Sequence, residues 1–333
     1  MKNPKFSKKL TLAGAALLTL GLAACAPKPG GGGEIAPPAG DGQAQTQTAQ
    51  QPPAAEFNVE SPISVVSRED GSGTRSAFIS LFGIEEKAEG DGTRVDRTTP
   101  EAIVANKTDV MLTTVAEDPY AVGYVSIGSL SPSVKALPID GAEPTDENVK
   151  NGSYAISRPF LLATKGLDPA GGAVSPQARD FISYILSKDG QAVVGEEYIS
   201  VDDSAEGYAP ASLAPGKVVV AGSSSVTPLM EELAEKYMEL QPDVEVEVQQ
   251  SDSTSGITGA IDGTCDIGMS SRELTDDESA RLTATNIATD GIAVIVNPAN
   301  TAVNGFSKET VRKVFTGEAA AWKDALAFTI NVN

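Results

Sequence analysis

Ser67-Arg68-Glu69-Asp70-Gly71-Ser72-Gly73-Thr74-Arg75 is the stretch from which the rest of the chain can be read. It follows the alternating run Ile63-Ser64-Val65-Val66 and leads into Ser76-Ala77-Phe78-Ile79-Ser80-Leu81-Phe82, whose spacing predicts a helix. A strand that breaks into glycine and hydroxyl residues and then enters a helix aims backbone N–H groups, and the positive end of the helix, at one spot. An oxyanion fits such a spot. Arg68 supplies a planar fork of donors, Ser72 and Thr74 add hydroxyls, and Gly71 and Gly73 allow a close approach of the backbone. An ordinary polar turn with an N-cap accounts for the same residues, and this stretch alone does not choose between the two.

Three more stretches repeat the pattern. Gly222-Ser223-Ser224-Ser225-Val226-Thr227-Pro228 follows the apolar run Val218-Val219-Val220 and precedes an amphipathic stretch through Met230, Leu233, Ala234, Tyr237 and Met238. Ser251-Asp252-Ser253-Thr254-Ser255-Gly256 follows the alternating Val244, Val246 and Val248, and Gly268-Met269-Ser270-Ser271-Arg272-Glu273-Leu274 ends a short apolar run in two serines. Any one of these is explained by a helix cap. Four of them beside a strand-following arginine point to one shared anion site.

These stretches resemble those of the substrate-binding protein of the bacterial ABC phosphate importer, a periplasmic-binding-protein-like family in which two α/β lobes close on one phosphate. Asp290-Gly291-Ile292-Ala293-Val294-Ile295-Val296-Asn297-Pro298, Val314-Phe315-Thr316-Gly317-Glu318 with Trp322, Gly123-Tyr124-Val125-Ser126 and Arg158-Pro159-Phe160 extend the resemblance over most of the chain from about Pro62 onward. The order of the halves departs from the family. There the Gly-Ser-Ser-Ser-Val segment comes first and the arginine motif lies mid-chain, whereas here residues 61–203 resemble the family's C-terminal half and residues 217–333 its N-terminal half. The resemblance therefore implies a type II two-lobe α/β fold, circularly permuted, with residues 204–216 as a linker rich in Pro, Ala and Gly. Phe328-Thr329-Ile330-Asn331-Val332-Asn333 resembles the strand leading into the arginine motif, so that strand is expected twice. A permutant with a spare copy and a piece of a longer tandem array both explain the duplication.

The resemblance also implies a ligand set. Ser225 and Val226 match the donors of the first turn, Ser253 that of the second, and Arg68, Ser72, Gly73 and Thr74 those of the third. Ser271 falls where some members carry an aspartate that accepts a proton from monohydrogen phosphate; other branches share the Ser-Ser-Arg-Glu-Leu seen here. Asp70 is expected to restrain Arg68 through an ion pair, the alternative being that it is the missing acceptor, and Arg75 and Arg272 are expected to pair with carboxylates such as Asp70 or Glu273. Each lobe is expected to draw on both halves of the chain, with crossings near Arg158 and Asn297. Residues 176–186 read as a helix with Ala178, Phe181, Ile182 and Ile185 on one side, ended by Gly190 and packed on the lobe formed by residues 216–297.

The N-terminus reads as a targeting segment. Lys2, Lys5, Lys8 and Lys9 precede an apolar run from Leu10 to Leu22, and Leu22-Ala23-Ala24-Cys25 forms a lipobox-like cleavage site. Residues 1–24 are expected to be removed and Cys25 lipidated; a plain secretory signal with an incidental cysteine is the alternative. Residues 25–60 are rich in Pro, Gly, Ala, Gln and Thr, cannot bury enough surface to offset their ordering entropy, and read as a tether.

Composition narrows the function. The chain has 25 Lys and Arg against 45 Asp and Glu, a formal charge of −20, which argues against a nucleic-acid partner. This does not oppose anion binding, because net charge is screened within about 10 Å at 0.1 M salt while a buried anion is held by local donors. There is no histidine, and Cys265 is the one cysteine besides Cys25, which reads as a buried strand residue. No cofactor or metal is implied, and a phosphatase-like enzyme would lack an activated nucleophile. The expected partners are inorganic phosphate, the permease subunits of an ABC importer whose ATPase is a separate chain, and the membrane through Cys25. The competing reading is a non-transporting surface or sensor protein of the same fold.

Overall fold

The computed structural model describes residues 56–88, 94–166 and 174–329. The signal segment, Cys25, the tether up to residue 55 and Ile330-Asn331-Val332-Asn333 lie outside the described residues.

In chain order the elements are β1 (Ser64–Arg68), α1 (Gly73–Leu81), β2 (Glu85–Lys87), β3 (Arg94–Asp96), β4 (Ile103–Ala105), α2 (Thr108–Glu117), β5 (Ala121–Ser126), β6 (Lys135–Leu137), α3 (Asp146–Lys150) and β7 (Ser157–Thr164). They continue with α4 (Pro176–Leu186), α5 (Lys188–Glu197), β8 (Gly216–Ser223), α6 (Thr227–Leu240), β9 (Val244–Ser251), α7 (Ser253–Asp262), β10 (Ile267–Ser270), α8 (Asp276–Ser279), β11 (Thr283–Val296), α9 (Lys308–Phe315) and α10 (Trp322–Thr329). Strands alternate with helices because apolar runs such as Val65-Val66 and Val244 to Val248 give way to short polar turns whose side chains cap the next helix, Ser72 for α1 and Asp252 for α7.

The strand order is β4-β1-β5-β11-β7-β10-β8-β9, with β6 also on β11. β11 joins two lobes. Its residues Thr283 to Gly291 pair antiparallel with β7, and from Ile292 to Val296 it pairs with β5. Lobe one holds β1, β4, β5, β6 and the end of β11, and its core contains Phe78, Tyr124, Phe315 and Trp322. Lobe two holds β7, β8, β9, β10 and the start of β11, and its core contains Phe181, Leu233, Tyr237 and Met269. Each lobe takes strands from both halves of the chain, as expected. The crossing expected near Asn297 falls earlier, at Asp290 and Gly291, because β11 is one continuous strand whose partner changes in its interior.

Helix α4 buries Ala178, Phe181, Ile182 and Ile185 as its periodicity requires. It ends at Ser187, not at Gly190. The Ser187 hydroxyl accepts from Gly190 N–H at 3.3 Å and caps α5, so Gly190 lies in the first turn of the second helix, where a Cβ would strike the Tyr184 and Ile185 carbonyls. Residues 204–215 form no helix or strand, yet the Tyr208 hydroxyl bonds Asp180 at 2.5 Å and Gln241 donates to the Ala211 carbonyl at 2.9 Å, which fixes the segment against lobe two. The second copy of the β1 strand is not seen where Phe328 and Thr329 stand: both continue α10, and Lys313 Nζ lies 3.8 Å from the Phe328 ring centre.

Two outcomes follow from this packing. Trp322, fully buried between Phe57 and Phe306 with its indole N–H donating to Tyr120 O at 3.2 Å, is a keystone of lobe one. Trp322→Ala should cost about 3–5 kcal/mol in denaturant titration. Burial pushes the Cys265 thiol up to about 11, so in a Cys25→Ser chain a thiol reagent at neutral pH should modify Cys265 only after denaturant is added.

Candidate anion site between the lobes

Four helices begin at one place. Gly73 and Thr74 open α1, Thr108 opens α2, Ser225 and Val226 lead into α6, and Ser253 opens α7. The first two helices belong to lobe one and the last two to lobe two. Thr74 Oγ1 and Ser225 Oγ are 2.8 Å apart, and Thr108 Oγ1 lies 3.2 Å from Ser224 Oγ and 3.5 Å from Ser225 Oγ. The Gly71 carbonyl accepts from the Thr254 N–H and hydroxyl, each at 3.1 Å. The lobes thus meet through hydrogen bonds among buried hydroxyls, under the positive ends of four helix dipoles.

Arg68 ends β1 in this cluster and is 2% exposed. Its backbone is fixed from beneath: the Arg68 N–H donates to Tyr124 Oη at 3.0 Å, and that ring stacks on Phe78 at 3.9 Å. Burial pushes the Tyr124 phenol up, which keeps it a neutral partner. The guanidinium Nε donates to Glu69 at 2.8 Å and to the Ala105 carbonyl at 3.2 Å, and Nη2 donates to Glu69 at 2.7 Å and across the lobes to Ser224 Oγ at 3.0 Å. Among the described residues, Nη1 has no hydrogen-bond acceptor.

The carboxylate that restrains Arg68 is therefore Glu69 rather than the expected Asp70. Gly71, at φ +87°, turns the chain so that Asp70 faces solvent and pairs with Arg75 at 2.8 Å. Arg75 also pairs with Asp96 and donates to the Arg68 carbonyl at 2.9 Å, so it holds the turn from outside. Arg272 pairs with Glu278 at 2.8 Å; Glu273 offers it only a carbonyl.

The remaining residues singled out in the sequence are placed as follows. Ser253 and Ser271 lie side by side: the Ser271 N–H donates to Ser253 Oγ at 3.1 Å, and Ser223 Oγ donates to Ser271 Oγ at 2.9 Å. Gly73 faces both, since a Cβ there would lie 2.7 Å from Ser271 Oγ and closer still to Ser253 Oγ. Ser72 is the N-cap of α1 and accepts from the Arg75 N–H at 3.3 Å. Val226 puts its side chain in the core of lobe two, and its N–H closes a turn onto the Ser223 carbonyl at 3.0 Å.

Two hydroxyls escaped sequence reasoning. Ser224 lies inside a quoted motif, but three consecutive serines do not reveal which ones face across a cleft. Thr108 follows Asn106-Lys107 with no glycine or serine to flag it. A cavity of about 410 Å³ adjoins both, lined in part by Leu112, Thr227, Pro228 and Gln250. Among the described residues no group of His, Cys, Asp or Glu side chains is arranged to hold a metal ion.

A family model for the PBP superfamily domain matches residues 42–189 and 209–332. The phosphate-binding protein PstS 2 of Streptococcus agalactiae serotype V is 54% identical over 263 residues, 79% of this chain and 87% of that protein. PstS 2 of Streptococcus pneumoniae serotype 4 is 39% identical over 319 residues, 96% of this chain and 98% of that protein. The crystal structure of a phosphate-binding protein of a phosphate ABC transporter from Streptococcus pneumoniae TIGR4 aligns with a TM-score of 0.63 at 40% identity, covering 80% of this chain and all of that one. The chain belongs to the PBP superfamily and, within it, to the phosphate-binding proteins.

Gly73 leaves no room for a Cβ between the lobes. Ser253 and Ser271 are buried and cannot swing aside, so Gly73→Ala should hold the lobes apart with little loss of stability in either. Small-angle scattering should give a larger radius of gyration than for the unaltered chain, at an unchanged melting temperature.

Proposed function

We propose that this chain is an extracytoplasmic, lipid-anchored solute-binding protein that captures inorganic phosphate between its two lobes and delivers it to an ABC importer. The observation that carries the reading is the buried meeting of Arg68, with Nη1 uncommitted among the described residues, and hydroxyls from four helix starts. A tetrahedral oxyanion satisfies such an array, because its oxygens accept several hydrogen bonds at once and its charge suits the helix dipoles. The names of the relatives support phosphate as the anion.

In this reading Arg68, Ser72, Gly73 and Thr74 bind from lobe one, and Ser225, Val226, Ser253 and Ser271 from lobe two. Donation by Val226 N–H requires the ligand to compete with the Ser223 carbonyl. Thr108 and Ser224 join the set from the geometry. Closure removes water and strengthens each bond, and the closed form docks on permease subunits whose ATPase is a separate chain. The lipid anchor is assigned to Cys25 after removal of residues 1–24, with residues 25–60 as tether. No helix among the described residues is long and apolar enough to cross a membrane. The formal charge of −20 supports a chain without a nucleic-acid partner.

The permuted order, with residues 61–203 as the family's C-terminal half, 204–216 as linker and 217–333 as its N-terminal half, belongs to the same proposal. A match running over 98% of the pneumococcal relative supports an order common to both chains. The alternative is a non-transporting surface or sensor protein of the same fold.

Titration calorimetry of a Cys25→Ser chain separates the readings. Phosphate is expected to bind and sulfate to be silent, and Arg68→Ala should weaken phosphate at least a hundredfold, because it leaves Glu69 without its buried partner as well as removing the anion's charged donor. No heat with either anion from a folded sample would favour the surface protein.

A further inference from the structure

Beneath the hydroxyl cluster lies a second buried charge pair. Arg158 and Asp290 are opposite partners in the β7–β11 ladder and are 4% and 1% exposed. Nε and Nη2 of Arg158 both donate to Asp290 Oδ2, at 3.1 and 3.0 Å. Their place in the ladder is the pivot of the molecule: one pair further on, Gly291 opposite Ser157 closes the β7 register, and Ile292 already lies against β5 of lobe one.

The pair is tied into both lobes. Asp290 Oδ1 accepts from Ser126 Oγ at 2.7 Å, at the end of β5. Arg158 Nη1 donates to the Ser271 carbonyl at 3.2 Å. Ser271 sits one residue past β10, outside that strand's ladder, and is fully buried among Ser223, Ser253 and Gly73. A continuous relay therefore runs Ser126–Asp290–Arg158–Ser271, from lobe one through the pivot to the anion cluster. Stability alone is a weak reason for it, since apolar residues of the same volume commonly replace a buried ion pair at no net loss. An apolar pair could fill the space, but it could not hold a carbonyl at the mouth of a site.

We infer that Arg158 is a positioning residue for phosphate binding: held by Asp290 and Ser126 at the pivot, it fixes the Ser271 backbone and so aims the Ser271 hydroxyl at the anion. This rests on the phosphate reading. Lysine at 158 keeps the charge but lacks the fork that reaches Asp290 and Ser271 together.

The test is a double-mutant cycle on the full chain with inorganic phosphate as the probe, reading Kd and melting temperature for the unaltered chain, Arg158→Lys, Ser271→Ala and the double variant. Acting through Ser271, Arg158→Lys should weaken phosphate by about five- to tenfold alone and by less than about twofold when Ser271 is already alanine. Ser126→Ala, a milder release of Asp290, carries the same cycle if Arg158→Lys does not fold. Losses that multiply independently, or a lower melting temperature at unchanged Kd, would overturn the inference and leave the phosphate reading standing. Failure of the unaltered chain to bind phosphate would overturn both.

Discussion

Arg68 is a full positive charge withdrawn from water at the meeting of two lobes. Leaving such a charge uncompensated costs several kcal/mol, far more than a single hydrogen bond returns. Much of the local structure answers that cost: Glu69 grips Nε and Nη2, the Ala105 carbonyl at the end of β4 takes a share of Nε, Tyr124 pins the backbone, and Ser224 reaches across from the other lobe. Glu69 offsets the charge of Arg68, so the inward-directed starts of four helices add the remaining attraction for an anion although the chain as a whole is strongly acidic. The sign of the site is set within one Debye length, and the sign of the surface is free to serve another purpose.

The topology makes that placement possible. Parallel strands run into the cleft and end there, so each following helix starts at the cleft with its dipole directed inward. Among the described residues the chain crosses between the lobes just before β7 and within β11, and these two strands meet as an antiparallel pair with charged partners at the crossing. Burial pulls Asp290 up and Arg158 down, yet the two hold each other and engage Ser126 and Ser271 as well. The lobes are thereby joined through two adjacent crossings rather than through a loose linker.

Much of this was legible in the sequence, because strand, hydroxyl turn and helix follow one another with little intervening chain. The four motifs converge as read, with Arg68, Gly73, Thr74, Ser225, Ser253 and Ser271 in one cluster. What stayed hidden depends on direction rather than type. Glu69 and Asp70 are chemically alike and adjacent, and only the positive φ of Gly71 decides that Asp70 turns to solvent. Thr108 carries no motif and acquires its role from α2 starting at the cleft. The crossing lies at Asp290 and Gly291, seven residues before Asn297, because β11 runs on unbroken through both and only its partner changes, which residue type does not announce. Phe328 and Thr329 match a strand motif, yet they continue a helix begun at Trp322, where residue identity yielded to local continuity.

The central claim is that one anion is held at once by donors from both lobes. Hydrogen–deuterium exchange with and without phosphate addresses it directly, by following peptides that contain residues 68–75 and 105–110 of lobe one and 223–227, 252–255 and 270–272 of lobe two. The account predicts that phosphate slows exchange in all of these together, at one midpoint concentration. Protection confined to the peptides of a single lobe, or different midpoints for the two, would contradict it.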